Sequence, residues 1–194
     1  GDLAEAVRSL SNPQFIMLLS NNTQFAAHVK ALESLYPKVP SIGCIGMSYD
    51  TGIVEAGVGI IAFSDGVSAT ANVLEQVSTM PVKYIDRLEK DVHKVGGSSR
   101  DTVCIDFCSG NDACVLTTIY SVLKKNGIQL VGGTGDAGKV SANGRVYEDA
   151  AAYALIRNQN GRVKTYKENI YHQFGNYRFI ASNTDRANYI IGSL

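Results

Sequence analysis

What the chain lacks excludes several classes of protein. It has no charge excess, because 18 basic and 18 acidic residues cancel, whereas nucleic-acid-binding proteins normally carry a basic excess or a basic stripe. It has no apolar run near the ~20 residues that a membrane span requires, and its N-terminus has none of the features of a signal peptide. We therefore expect a cytoplasmic protein that binds neither nucleic acid nor membranes, and whose ligand is small.

The chain also lacks the paired cysteine spacing of a metal site. Three of its four cysteines follow a C-x3-C-x5-C spacing, which fits no common zinc pattern. Most of them lie within apolar runs, as expected of reduced, buried packing residues in a cytosolic protein. The four are Cys44, Cys104, Cys108 and Cys114. We expect no metal site and no cofactor.

The strongest positive feature is an internal repeat. An apolar run ends at Ser20, and Gly43 follows 23 positions later; a second run ends at Ser109, and Gly132 again follows 23 positions later. Each copy then continues into another apolar run, at residues 58–63 and 150–156. This pattern predicts an α/β fold built from duplicated strand–helix–strand–strand units, which form mixed sheets flanked by helices. The copies cover about residues 15–95 and 102–168.

Local signals place the elements of each copy. Residues 20–23 offer capping oxygens for a helix that ends at Leu35, and residues 109–112 cap a second helix that ends at Asn126-Gly127. Residues 128–132 are predicted to form a strand, and residues 133–144 a long glycine-rich turn. The turn signal Asn160-Gly161 predicts a hairpin between strands at residues 149–157 and 163–168.

The second glycine segment matches a dinucleotide-binding pattern, Gly133-x-Gly135-x-x-Gly138. In such a site the glycines open a helix whose N-terminus holds a pyrophosphate. The residues that follow here indicate a turn and a strand, which argues against nucleotide binding. The glycines either let the backbone turn tightly or also bring backbone N–H groups close to a ligand, and we favour the second interpretation.

If the two halves pack about a pseudo-twofold axis, both glycine turns line one cleft with polar groups on apolar walls. Asp136 would either cap turn amides or accept an ammonium group, and Asp50 has the corresponding place in the first copy. Asn111 lies at a helix start, where free backbone N–H groups bind carboxylates. The candidate ligand-binding residues are Cys44, Gly46, Ser48, Tyr49, Asp50, Ser109, Asn111, Gly133, Thr134, Gly135 and Asp136.

No arrangement of residues predicts catalysis, and we expect no catalytic residue. His28 and His93 lie among charged residues and are expected in solvent, and His172 lies in a late loop. Cys44 is interpreted as packing rather than as a nucleophile. Asp106, inside a strand, is interpreted as a partner for a neighbouring turn.

Together, these segments resemble the FIST N-terminal domain. The second segment, with Gly132, Gly133, Gly135 and Asp136, is close to the family pattern vvGGxAGD. The first, around Gly43-Cys44, departs from the family pattern iGCsTxGEi, because Ile45-Gly46 replaces Ser-Thr and Ser48-Tyr49 lies near the usual Gly-Glu. The similarity covers roughly residues 15–168, and we expect residues 1–168 to form this domain. Residues 169–194 are interpreted as the start of a truncated companion domain.

The resemblance implies a cytoplasmic sensory input domain of prokaryotic signal-transduction proteins and chemoreceptors. Its ligand would be an amino acid or small carboxylate, and its partner a C-terminal signalling module in the same or a neighbouring protein. A homodimer is possible. One alternative is a haem protein that reports nitric oxide, with a histidine such as His172 or a cysteine as axial ligand. Another is an enzyme that uses Cys44 or a nucleotide held at residues 133–138.

Overall fold

The computed structural model describes residues 3–46, 48–49, 53–54, 57–79, 81–110, 112–168, 171–172, 175–176, 180, 182–185 and 190–193, with backbone only at 48–49, 53–54, 81, 190–191 and 193. The helices are α1 (Leu3–Ala6), α2 (Phe25–Leu35), α3 (Ile85–Val95) and α4 (Asp112–Asn126). Short 3₁₀ turns lie at Pro81–Tyr84 and Asp136–Gly138. The strands are β1 (Phe15–Ser20), β2 (Ser41–Ile45), β3 (Ser48–Tyr49), β4 (Ile53–Val54), β5 (Val58–Phe63), β6 (Val67–Glu75), β7 (Thr102–Cys108), β8 (Gln129–Thr134), β9 (Val140–Ala142), β10 (Arg145–Tyr147), β11 (Ala150–Asn158), β12 (Ser182–Asp185) and β13 (Ile190–Ser193).

Two mixed sheets form the body of the protein. The first has the order β10-β9-β2-β1-β5 and the second the order β6-β11-β7-β8. In the first sheet β1 pairs parallel with β2 and antiparallel with β5. In the second sheet β7 pairs parallel with β8 and antiparallel with β11. The same local arrangement therefore occurs in both units, and the predicted α/β class with mixed sheets and flanking helices is confirmed.

The sheets pack face to face, and the helices cover their outer faces. Alternate residues of β11 point to opposite sides, as in any strand. Ala150, Ala152 and Ala154 face the first sheet, and their small side chains let the two sheets approach closely. Tyr153 and Leu155 face the helical side and belong to the core beneath α3 and α4. Helices α1 and α2 cover the first sheet in the same way, so the layers follow the order helix, sheet, sheet, helix.

Helix ends follow the local signals of the sequence. Asn21 Oδ1 accepts a hydrogen bond from Gln24 N at 3.1 Å, just before α2. Helix α4 ends at Asn126, and Gly127 follows in the left-handed region at φ 63°. Ile128 N then donates to Leu123 O at 3.1 Å, which satisfies one of the last carbonyls of the helix. The predicted stop at Asn126-Gly127 is confirmed.

Two predictions about the second half are wrong. Residues 133–144 do not form one long turn, because β8 runs through Thr134 and the chain then forms a 3₁₀ turn and strand β9. Residues 163–168 are not a strand. Strand β11 already pairs with β6 on one edge and β7 on the other, so neither edge is open to a hairpin partner.

The pairing register also corrects which residues correspond between the units. Leu18 lies opposite Gly43 in the first sheet, whereas Asp106 lies opposite Gly132 in the second. The sequence spacing predicts that Ser20 corresponds to Ser109, because each lies 23 positions before a glycine. The register aligns Ser20 with Cys108 instead. Whether the two units arose by duplication stays a prediction.

Candidate functional site

A cleft of about 460 Å³ lies between the two sheets, and we call it the inter-sheet cleft. Its walls are mostly apolar side chains from both sheets, together with the glycines of β8. The lining residues are Met17, Leu19, Cys44 and Ile61 of the first sheet and Ile105, Phe107, Val131, Gly132, Gly133 and Thr134 of the second. The cleft therefore contains Cys44, Gly133 and Thr134, three of the residues predicted for the ligand site.

The two glycine segments meet beside this cleft. A Cβ on Gly135 would lie only 2.7 Å from Cys44 Cβ and 3.4 Å from Ile45 O, so only a glycine allows this approach. Gly135 N also donates to Cys108 O at 2.8 Å. Gly135 thus connects the end of β7 to the end of β2, and with them the two units. The predicted meeting of the two segments is observed, while their role in binding a ligand stays a prediction.

The electrostatics of the cleft keep its thiol neutral. Burial, and then the negative charge of Asp136, raise the pKa of Cys44 to about 12. Asp136 itself is exposed at the start of the 3₁₀ turn. A neutral, buried thiol serves as part of an apolar wall, and Asp136 is close enough to act on it electrostatically.

The other predicted site residues are placed as follows. Ser109 Oγ accepts a hydrogen bond from Ala150 N at 2.8 Å, which ties the end of β7 to β11. Ser109 O also lies 3.8 Å from the position of a Cβ on Gly138, so this serine is near the same 3₁₀ turn. Gly46 follows β2 with open space around it. Ser48 and Tyr49 form β3, with their side chains outside the described part, and Asp50 and Asn111 lie outside the described residues.

The expectation that His28 lies in solvent is wrong. The residue is 8% exposed, and its Nδ1 lies 2.7 Å from Ser20 Oγ, which is 1% exposed. The spacing of Phe25, His28, Val29 and Leu32 places them on one helical face, and this pattern was the missed signal. Leu35, the last residue of α2, is by contrast 53% exposed. The buried Ser20–His28 pair fixes α2 to the end of β1.

Asp106 is the second residue whose surroundings differ from those that the sequence predicts. The expected hydrogen bond to a neighbouring turn does not occur among the described residues. The side chain lies instead under α4, where only 3% of the residue is exposed. Buried and half-buried positions alternate along β7, so Asp106 belongs to the same helix-facing set as Cys104 and Cys108. That alternation was the available signal.

The glycine pattern does not form a nucleotide site of the Rossmann kind. Gly133 lies within β8, and the chain after Gly138 continues into strand β9 rather than into a helix. The helix N-terminus that would hold a pyrophosphate is therefore not at this position. The described residues contain no cluster of three or more potential metal ligands. None of the helices in the described part of the chain is long and apolar enough to cross a membrane.

These features define an α/β domain of two facing sheets with an apolar cleft between them. Residues 14–191 match the family model of the FIST N domain. The match covers nearly the whole chain, so the chain belongs to the FIST N domain family, as its motifs suggested. FIST domains are sensory domains of signal-transduction proteins. No curated protein matches the chain significantly.

Proposed function

We propose that this domain senses a small metabolite that binds in the inter-sheet cleft. The single observation that carries the proposal is the cleft of about 460 Å³, whose walls come from both sheets. It lies beside Gly135, where the two glycine segments make contact. A sensory domain needs a site whose occupancy changes the packing of its parts, and a ligand between the two sheets would contact both of them.

The walls of the cleft favour a ligand with a hydrocarbon part. Met17, Leu19 and Phe107 would contact an aliphatic or aromatic side chain, and burial of its surface would supply most of the affinity. The polar groups are at one end, where Thr134 lines the cleft and Asp136 lies close to Cys44. Among amino acids and small carboxylates, this arrangement favours an amino acid with an apolar side chain, whose ammonium group Asp136 would accept.

The signal would be a shift between two packings of the sheets. A ligand stabilises the packing to which it binds better, by about 2.7 kcal/mol at 100 times its dissociation constant. That amount changes a nearly balanced equilibrium strongly. The packing would then be read by a C-terminal signalling module of the same or a neighbouring cytoplasmic protein, for example a chemotaxis module.

The alternative functions have less support. A thiol nucleophile must reach its thiolate form, and a pKa of about 12 keeps Cys44 protonated at neutral pH. Among the described residues, no hydrogen bond joins Cys44 to a histidine that could act as a base. His172, considered as a haem ligand, is exposed in a segment without regular structure.

Thermal unfolding with a panel of amino acids and organic acids tests the proposal. We expect leucine-like or phenylalanine-like amino acids at 10 mM to raise Tm, and small polar acids to have less effect. Val131→Trp would fill the cleft from β8 and remove this stabilisation, whereas Val82→Trp, at an exposed position that does not line the cleft, would retain it. Absence of any stabilisation of the unmodified protein, or equal stabilisation of Val131→Trp, would contradict the proposal.

A further inference from the structure

A second hollow lies on the opposite face of β8, between this strand and α4. It has a volume of about 240 Å³, and we call it the helix-side groove. Asp106 and Gly132 form its floor, Asp112 lies at the start of α4, and Leu116, Tyr120 and Leu130 supply apolar surface. The groove and the inter-sheet cleft share Gly132 and Gly133, which lie between them in β8, but Leu130 packs against the core on the helical side of the sheet.

The carboxylate on the floor is buried and has no cation beside it, and its own backbone N–H is the hydrogen-bond donor recorded for it among the described residues. Asp106 is 3% exposed, and no side chain in the described part of the chain donates a hydrogen bond to it. It lies directly over Gly132, where a Cβ would overlap Asp106 O and Oδ1. The missing side chain at Gly132 thus leaves room for the carboxylate at the base of the groove.

An unpaired buried carboxylate is costly for a folded protein. Burial, and then the charge of Asp112, raise the pKa of Asp106 to about 7, despite a hydrogen bond from its own backbone. Packing does not require an acid here, since the corresponding residue of the first unit is Leu18. A bound cation would remove the cost by pairing with both acids, which gives the acidic floor a function.

We propose that the helix-side groove binds the ammonium group of a small organic amine. Asp106 accepts hydrogen bonds from the ammonium group, Asp112 adds negative charge at the helix start, and the hydrocarbon part lies against Leu116 and Tyr120. The apolar side chains favour an organic cation over a hydrated metal ion, which prefers a shell of oxygen ligands. The exposed Tyr120 ring adds a surface on which cations are stabilised. This site goes beyond the sensing proposed for the inter-sheet cleft.

Thermal unfolding with n-butylammonium chloride at pH 8, where Asp106 is ionised, tests the proposal. For a dissociation constant of about 5 mM, 20 mM should raise Tm by about 2–4 °C relative to sodium chloride at equal ionic strength. n-Butanol and sodium butyrate share the hydrocarbon chain but not the positive charge, and should have no such effect. Asp106→Asn keeps the shape and removes the charge, and in a protein that also carries Asp136→Asn it should abolish the butylammonium shift. Asp112→Asn should weaken binding several-fold.

Asp136→Asn is the matched control, because Asp136 is an acid beside the other cavity. It should retain the part of the butylammonium shift that depends on Asp106, and Asp106→Asn should retain any shift caused by an amino acid in the inter-sheet cleft. The two proposals can therefore fail separately. No butylammonium shift in the unmodified protein, an equal shift with butanol, or an unchanged shift in Asp106→Asn would overturn the groove proposal. If Asp106→Asn did not fold, the unmodified protein and Asp112→Asn would decide.

Discussion

The two strand–helix–strand–strand units place different residues at the same position. In the first unit Leu18, 1% exposed, faces α2 and lies opposite Gly43. In the second unit Asp106, 3% exposed, faces α4 and lies opposite Gly132. Both units thus have a glycine opposite a buried side chain, but one side chain is a hydrocarbon and the other an acid.

This difference separates the requirements of the fold from those of a site. Leu18 gains free energy by burial, of the order of 1.5–3 kcal/mol for a side chain of this kind. Asp106 loses free energy whenever it is charged, because no side-chain donor or cation among the described residues pairs with it and its own backbone N–H only partly offsets the burial. The second unit therefore has a group that packing alone does not explain, and such groups are concentrated at binding sites.

The largest effect is expected at the paired glycines. Gly132→Ala would place a Cβ against Asp106 O and Oδ1, and the backbone of β7 cannot easily move away. We expect the free energy of unfolding to fall by about 3 kcal/mol, and by about 2 kcal/mol for Gly43→Ala, whose Cβ would lie 2.8 Å from Leu18 O. Gly133→Ala, with no heavy atom within 4 Å, is the matched control. Urea unfolding measures all three, and an equally large loss in the control would refute this explanation.

The second prediction concerns pH. Because the pKa of Asp106 is raised, the folded protein keeps this proton up to a higher pH than the unfolded chain does. The contribution of Asp106 to the free energy of unfolding therefore falls between about pH 4 and about pH 7, and is constant above that. Asp106→Asn has no such loss, so its stability relative to that of the unmodified protein should be about 2 kcal/mol greater at pH 8 than at about pH 5.5. Urea unfolding at both pH values checks this. A difference independent of pH would show that the carboxylate is paired in the folded protein.

A smaller effect is expected at the serines that close the first strand of each unit. Ser20→Ala removes a buried partner of His28 and should cost about 1.5 kcal/mol. Ser109→Ala removes the acceptor of Ala150 N, and should cost about 1 kcal/mol because Ser109 is only half-buried and water can replace it. Thermal unfolding compares the two variants. A larger loss of stability in Ser109→Ala than in Ser20→Ala would show that the Ser109–Ala150 hydrogen bond contributes more than the Ser20–His28 hydrogen bond, contrary to this prediction.

The smallest effect is expected in the 3₁₀ turn that contacts both units. Ala137 has φ 52° and ψ 24°, a left-handed conformation that costs energy for any residue with a Cβ. Ala137→Gly should therefore stabilise the protein by about 0.5 kcal/mol, whereas Ala113→Gly within α4 should destabilise it by about 1 kcal/mol. Chemical denaturation of the pair gives the answer, and a loss at position 137 would mean that the alanine methyl group makes contacts worth more than the strain.

Sequence patterns located most elements but not their partners. The stop of α4 at Asn126-Gly127 was predictable, because a helix C-terminus is a local event. The extension of β8 through Thr134 was missed, because it depends on parallel pairing with β7. At the site, the repeat predicted that the two glycine segments lie close together. The surroundings of His28 and Asp106 were predicted from their neighbours in sequence, and those predictions were wrong because both residues are buried.

The sequence by itself determined most of the order of strands and helices, the end of α4 and the family, because periodicity, capping residues and glycine motifs act within a few residues of one another. The tertiary structure decided which faces meet. It brought Gly135 against Cys44, and it placed Asp106 next to Gly132 beneath α4. It also paired both edges of β11 with other strands, so that residues 163–168 could not form a hairpin with it. These contacts join residues far apart in the chain, and their free energy comes from packing and burial that no local pattern records.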